Sequence, residues 1–285
     1  MTRFSQWVAA SAVAVFGLAL VATSGVDIAV AQDSTLIAKI QERGTLRVGV
    51  DQGKPLIFKD SGDAEWHGIF MDVLQSWAAS MNVTVEAVPT TWGNMVAGLQ
   101  ADQFDVAAAL NPTPARSLAV VFSDPLIQEI GTFSVMKDSG LDTWDAINVS
   151  SNKICVMLGA APDLALTAQQ PQAEIVRLKA EPDCQLALTS GRANAFYNAA
   201  GNQAAFAADN GNINLIFPAT AFVRQGTAYA FQPDIDVQSL LSFNITLETF
   251  VNSGALRESQ TKWGFVSPRD YTIGEIPAYV AEAGY

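Results

Sequence analysis

Short strand-like runs alternate with helix-like runs twice along this chain, with brief connections, and that alternation leaves few architectures open. In the first block, Ser34 caps a helix whose apolar residues Leu36, Ile37 and Ile40 share a face and which Gly44 ends. Thr45–Val50 alternates as a strand, and residues 69–81 read as a helix with Ile69, Val73, Trp77 and Met81 along one stripe. A strand over 83–88, a helix over 94–101 and a buried strand over 105–110 complete the block. The order β, α, β, α, β with short links predicts a parallel sheet with helices on its faces.

After Asp124 and Pro125 an extended run over 130–136 opens a second, similar block. A helix over 142–147 precedes the strand Lys153–Met157, a helix over 163–169 precedes the strand Glu174–Leu178, and a helix over 183–190 precedes a strand over 194–197 and a helix over 202–208. Strands over 215–217 and 227–231 follow, then a long helix from Asp234 to near Gly254 with Val237, Leu240, Leu241, Ile245, Leu247 and Phe250 at helical spacing. A short helix over 255–263 leads into the tail. Two βα blocks in series predict an α/β protein of two lobes.

The stretch from Phe104 to Pro125, FDVAAALNPTPARSLAVVFSDP, carries the clearest candidate for chemistry. Arg116 stands just past the C-terminal end of a buried strand, beside a turn of Asn111, Pro112, Thr113 and Pro114. Open α/β sheets bind ligands at that edge, so Arg116 is placed to grip an anion. A surface salt bridge for Arg116, with Thr113 as a mere helix cap, reads these residues equally well.

Arg3, an apolar run from Trp7 to Ala22 and the small residues Ala29, Val30 and Ala31 have the layout of an export signal cleaved after Ala31. The run is shorter than the ~20 residues of a membrane anchor, and no cysteine lies near it to accept a lipid. Cleavage would remove one base, Arg3, and one acid, Asp27, leaving 15 bases, 27 acids and an unchanged net charge of −12. A surface that acidic repels nucleic acid and anionic membrane, which argues against both as partners. The remaining 254 residues are enough for a large core in one or two domains.

The two cysteines, Cys155 in a strand-like run and Cys184 at the start of a helix-like run, meet an oxidising compartment if the chain is exported. They read either as a disulfide or as two buried thiols. One histidine, His67, sits in a loop with no partner in the sequence, and no Cys or His cluster suggests a metal site.

The segments GTLRVGV (44–50), GIFMDVLQSWA (68–78), TWGNMVAGLQADQFDVAAA (91–109), TPARSLAVVFSDP (113–125), ALTSGRANAF (187–196), GTAYAF (226–231) and NSGALRESQTKWG (252–264) together resemble the family 3 extracellular solute-binding proteins, the polar-amino-acid receptors of ABC importers. The resemblance implies the two-lobe periplasmic binding protein fold of type II, a Venus-flytrap, with each lobe a mixed sheet flanked by helices. Lobe 1 would be 32–128 plus 225–285 and lobe 2 129–224, hinged near 128–132 and 222–229 and closing over a small solute. It implies a periplasmic monomer that binds a carboxylate-bearing solute and delivers it to a membrane permease, with no cofactor.

The family holds a ligand's α-carboxylate with the arginine of a T-x-x-R motif, here Thr113 and Arg116. A guanidinium matches a carboxylate with two parallel hydrogen bonds. The resemblance adds a ligand-facing group at Asn111, a carbonyl at Ala109, and backbone N–H groups at the turn of Gly159, Ala160 and Ala161. The carboxylate that pairs with a ligand's ammonium is replaced here by Asn198, so the ligand is expected to lack an ordinary free α-ammonium unless Asp51 or another acid supplies the charge. Phe58, Trp66, Phe70 and Tyr197 are candidates to line the cleft, while Trp92 is assigned mainly to the core. A dehydratase on the same fold, of the cyclohexadienyl or arogenate type, would need a general acid, for which Glu65, Asp51 and Asp163 are ordinary candidates. A sensor lobe that reports to a membrane receptor would read alike.

Overall fold

The structure, a computed structural model, describes residues 34–283. The expected export signal and its cleavage point lie outside them.

The first block forms α1 (Leu36–Arg43), β1 (Thr45–Val50), α2 (Ile69–Ser80), β2 (Thr84–Pro89), α3 (Met95–Gln100) and β3 (Val106–Leu110). β1 lies parallel between β2 and β3, as the short βαβ links require. The chain continues through α4 (Pro114–Ser117) and β4 (Val121–Phe122) into the long strand β5 (Ile127–Met136). The second block gives α5 (Trp144–Ile147), β6 (Lys153–Met157), α6 (Ala161–Ala168), β7 (Glu174–Leu178), α7 (Glu181–Thr189), β8 (Ala195–Ala199), α8 (Ala200–Asn210) and β9 (Ile213–Ile216). Here β6 lies parallel between β7 and β8, and β5 runs antiparallel to β8 and β9.

β10 (Arg224–Phe231) ties the two halves together. Its first half pairs with the start of β5, from Arg224 opposite Ile130 to Thr227 opposite Ile127, and its second half pairs with β3 and β4. The chain ends in α9 (Val237–Asn252), α10 (Ala255–Lys262), a 3-10 turn at Pro268–Tyr271 and α11 (Ala278–Glu282).

Each half has its own apolar core. In the first, α2 buries Ile69, Val73 and Trp77, and α9 lays Phe243 against them, 5.1 Å from Trp77 and 4.7 Å from Tyr229 between ring centroids. A fully buried side chain of this kind contributes roughly 2 to 3 kcal/mol. In the second, Phe133, Tyr197 and Ile154 pack on one side of the sheet, and Phe196, Leu215 and the cysteines on the other. Cys155 and Cys184 form a disulfide that ties β6 to α7, with Cα atoms 5.6 Å apart.

Local details differ from the sequence reading for physical reasons. Thr35 rather than Ser34 caps α1, accepting from Ala38 N at 3.2 Å, while Asp236 and Ser239 of the α9 entry accept from Leu36 N and Ile37 N. The α9 stripe is also rotated. Ser239, Phe243, Leu247 and Phe250 face inward, and Val237, Leu241 and Ile245 are 73%, 55% and 62% exposed. The sequence of α9 is apolar around much of its circumference, so the aromatic cluster decides which side is buried. Helices α6 and α7 begin two residues earlier than expected because Pro162 and Pro182 fit the first turn, where no N–H is required. That shift makes Glu181 the first residue of a helix.

Candidate functional site

Where β3 leaves its sheet, the chain kinks. The register against β10 slips between Ala228 and Ala230, and Ala109 takes a left-handed conformation at φ 56°, which costs a non-glycine residue about 1 kcal/mol. The bend carries Asn111 off the sheet and delivers the chain to α4. There Thr113 Oγ1 accepts from Arg116 N at 3.2 Å. Held at that cap, the Arg116 guanidinium turns back, donating through Nη1 to Asn111 O at 3.0 Å and through Nη2 to Gly159 O of the second half at 3.2 Å. Neither acceptor carries a charge. Burial lowers the guanidinium pKa to about 10, which leaves it a cation at neutral pH.

Arg116 lines a cavity of about 40 Å³ between the two halves, together with Ala109, Asn111, Ala160, Ala161 and Asn198 among the residues expected there. Two acids that sequence reasoning missed line the same space, Glu129 of β5 and Glu181 of α7. Glu129 is buried and accepts from Asn111 Nδ2 at 2.7 Å; burial pushes its carboxyl above the usual range, against the pull of hydrogen bonds from Thr227 and Asn111. Glu181 accepts from Gln185 Nε2 at 3.0 Å and weakly from Asn202 Nδ2 at 3.4 Å. Burial, and after it the nearby charge of Asp51, pushes Glu181 up to about 8. Asn198 is 3% exposed, and its Nδ2 has no acceptor among the described residues. Leaving such a group unpaired costs roughly 1 to 3 kcal/mol, which a solute's acceptor would recover.

Several expected site residues do other work. Asn111 lines the cavity and also directs its side chain at Glu129 and at Thr227 Oγ1, 2.8 Å away. Thr113 is absent from the cavity wall and acts through its cap on Arg116. Phe70 is fully buried, 4.9 Å from the Tyr229 ring, and Tyr197 is fully buried in the second core, 4.5 Å from Phe133. Neither lines the cavity, because α2 and β8 turn those positions into the packed faces of their sheets. Trp66 borders a separate surface groove with Met71 and Val85, and Phe58 packs edge-on against Trp263 beside a second chamber. Trp92, assigned to the core, packs on both first-half clusters and also lines the cavity.

In the turn at Gly159 two of the three expected N–H groups are already engaged. The Gly159 N–H donates to Asp163 Oδ2 at 3.0 Å and the Ala160 N–H to Met157 O at 3.1 Å. Asp163 also pairs with Arg177 at 2.8 Å, which explains its burial without catalysis. Asp51 accepts from Gln52 N and Trp92 N, both at 2.8 Å, and burial raises it to about 6. Glu65 is exposed. His67 does have partners: it stacks on Trp263 at 5.2 Å and lies 3.4 Å from Asp63. The signal for Glu129 was an acid interrupting the apolar run of β5; that for Glu181 was an acid ahead of Pro182, which also suits an ordinary helix start.

A mixed-sheet pair joined by two crossing strands, with a charged cavity between the halves, defines a two-lobe binding protein of type II. Residues 46–266 match the model for bacterial extracellular solute-binding proteins, family 3, and the chain belongs to that family. A probable amino-acid ABC transporter periplasmic-binding protein, y4tE of Sinorhizobium fredii (strain NBRC 101917 / NGR234), is 26% identical over 188 residues, 64% of this chain and 62% of that one. The L-cystine-binding protein TcyJ of Escherichia coli (strain K12) is 33% identical over 92 residues, 32% of this chain and 34% of its own. The matches thus span less than two thirds of these relatives. The ancestral amino acid-binding protein AncCDT-1, a precursor of cyclohexadienyl dehydratase, superposes with a TM-score of 0.74 at 29% identity, covering 81% of this chain and 100% of that one. Among the described residues, no helix is long and apolar enough to cross a membrane.

Proposed function

We propose that this protein is a periplasmic receptor that captures a small amino acid between its lobes and hands it, as a monomer, to the membrane permease of an ABC importer. The observation that carries this reading is the charge pattern of one buried cavity. Arg116 is a buried cation hydrogen-bonded to two neutral carbonyls, and Glu129 and Glu181 are buried acids held by neutral amides and a hydroxyl. An unpaired buried cation is costly and burial resists ionisation of the acids, and a solute bearing both a carboxylate and an ammonium would pair the cation and let an acid ionise against it. The carboxylate goes to Arg116, in place of a bare carbonyl contact, and the α-ammonium to Glu129. The neutral Asn198 therefore does not exclude a free amine, because the acid comes from another strand. The similarity to y4tE, a probable amino-acid ABC transporter periplasmic-binding protein, supports the same reading.

Calorimetric titration with a panel of amino acids and small organic acids tests it. At least one amino acid is expected to bind, and Arg116→Ala to abolish binding, a loss of 100-fold or more on the order of 3 kcal/mol. Unaltered affinity in that variant would remove Arg116 from the site. A dehydratase reading has one feature in its favour, since Glu181 at about 8 is protonated at neutral pH and so able to donate a proton. Turnover of prephenate or arogenate, followed by absorbance, separates the two.

A further inference from the structure

The cavity at Arg116 adjoins a second chamber. The inner space of about 40 Å³ and an outer chamber of about 240 Å³ share Gly53, Glu181 and Asn202 as a common wall. A space of the inner size holds roughly three water-sized groups, which leaves no room for a long side chain. A longer side chain that reaches the outer chamber passes the shared wall. That throat is narrow: a Cβ built on Gly53 would stand 3.2 Å from Asn202 Nδ2, 3.2 Å from Trp92 Cζ2 and 3.8 Å from Glu181 Oε2.

Glu181 is 4% exposed, and its hydrogen bonds come from the neutral amides of Gln185 and Asn202. The charges that act on it, Asp51 and Glu129, are of its own sign. In the outer chamber Lys54 is engaged with Asp209 at 3.1 Å, and Lys59 donates to Ala64 O at 2.9 Å. Asn198 marks the inner cavity independently, because its buried Nδ2 has no acceptor among the described residues.

We propose that Glu181 is a charge-selecting residue at this throat, and that the preferred solute is an amino acid whose side chain carries a second cation past Gly53 to Glu181. The proposal rests on the receptor reading above and narrows it. With the carboxylate on Arg116 and the α-ammonium on Glu129, a side-chain cation beside Glu181 balances the buried charges. A neutral side chain leaves Glu181 either unpaired or protonated.

The test compares L-lysine with L-norleucine, the same chain without the terminal ammonium, by calorimetry on the mature protein and on Glu181→Gln. Lysine is expected to bind roughly tenfold or more tightly than norleucine, and Glu181→Gln to erase most of that preference. Glu181→Gln keeps the side-chain shape, and a thermal unfolding curve checks that it folds. A readout that needs no variant is proton release: the heat of lysine binding at pH 7 should depend more steeply on the buffer's ionisation enthalpy than that of norleucine, because only lysine brings a cation to Glu181. Equal affinities for the pair, or a preference that survives Glu181→Gln, overturns the role of Glu181 while leaving the receptor intact. No binding of lysine while another amino acid of the panel binds overturns this proposal and leaves the receptor reading standing; no binding of any amino acid in the panel overturns both.

Discussion

Glu181 and Asp51 set a pH response in the protein without solute. Their folded-state values, about 8 and about 6, lie above the ordinary carboxylate range near 4, so the folded chain holds these protons more tightly than the unfolded one. Their contribution is complete below about pH 4 and is lost as pH rises, through about 6 for Asp51 and about 8 for Glu181. The thermal midpoint should therefore fall between pH 5 and pH 8, and Glu181→Gln should flatten the upper part of that fall. A variant midpoint below that of the parent at pH 8 would contradict the burial argument. At this scale Arg116 was legible, because a buried strand, a turn and an arginine stand consecutively in the sequence. Glu129 was not, since its burial depends on β10 arriving from far along the chain.

At the scale of elements, the turn between β6 and α6 governs how closely the halves approach. Gly159 has φ +73°, and a Cβ there would lie 3.0 Å from Gly93 Cα of the first half. Gly159→Ala is expected to weaken solute binding by tenfold or more while circular dichroism stays unchanged, since it adds about 1 kcal/mol of backbone strain and wedges the contact apart. The disulfide closes a sequence separation of 29 residues, for which loop entropy gives about 3.6 kcal/mol. Replacing both Cys155 and Cys184 by Ala should lower the stability measured by denaturant titration by that order. The helices and strands of both blocks were readable from apolar spacing. The buried face of α9 was not, because Val237, Leu241 and Ile245 are as apolar as the residues that pack.

At the scale of the whole molecule, β5 and β10 are the strands that cross between the halves, and we propose that the lobe borders near 128/129 and 224/225 lie in their shared ladder. The Arg116 to Gly159 bond and the Lys54–Asp209 pair join the halves in this form. The salt bridge is solvent-exposed and contributes at most about 1 kcal/mol. Solute that pairs the buried charges would supply more, so adding a bound amino acid should shrink the radius of gyration in small-angle X-ray scattering. A radius that does not respond to saturating solute would argue against hinge closure.

The sequence by itself determined the order of strands and helices, the parallel cores of the two blocks and the place of Arg116 at the turn that follows a buried strand. Those features depend on residues near one another in the chain, whose periodicity and turn chemistry act locally. The tertiary structure alone decided which acids lose their water, that Phe70 and Tyr197 belong to packed cores, and that Asn111 donates to Glu129. Burial and charge pairing depend on strands distant in sequence meeting in space, and a carboxylate changes character when that meeting takes it out of water.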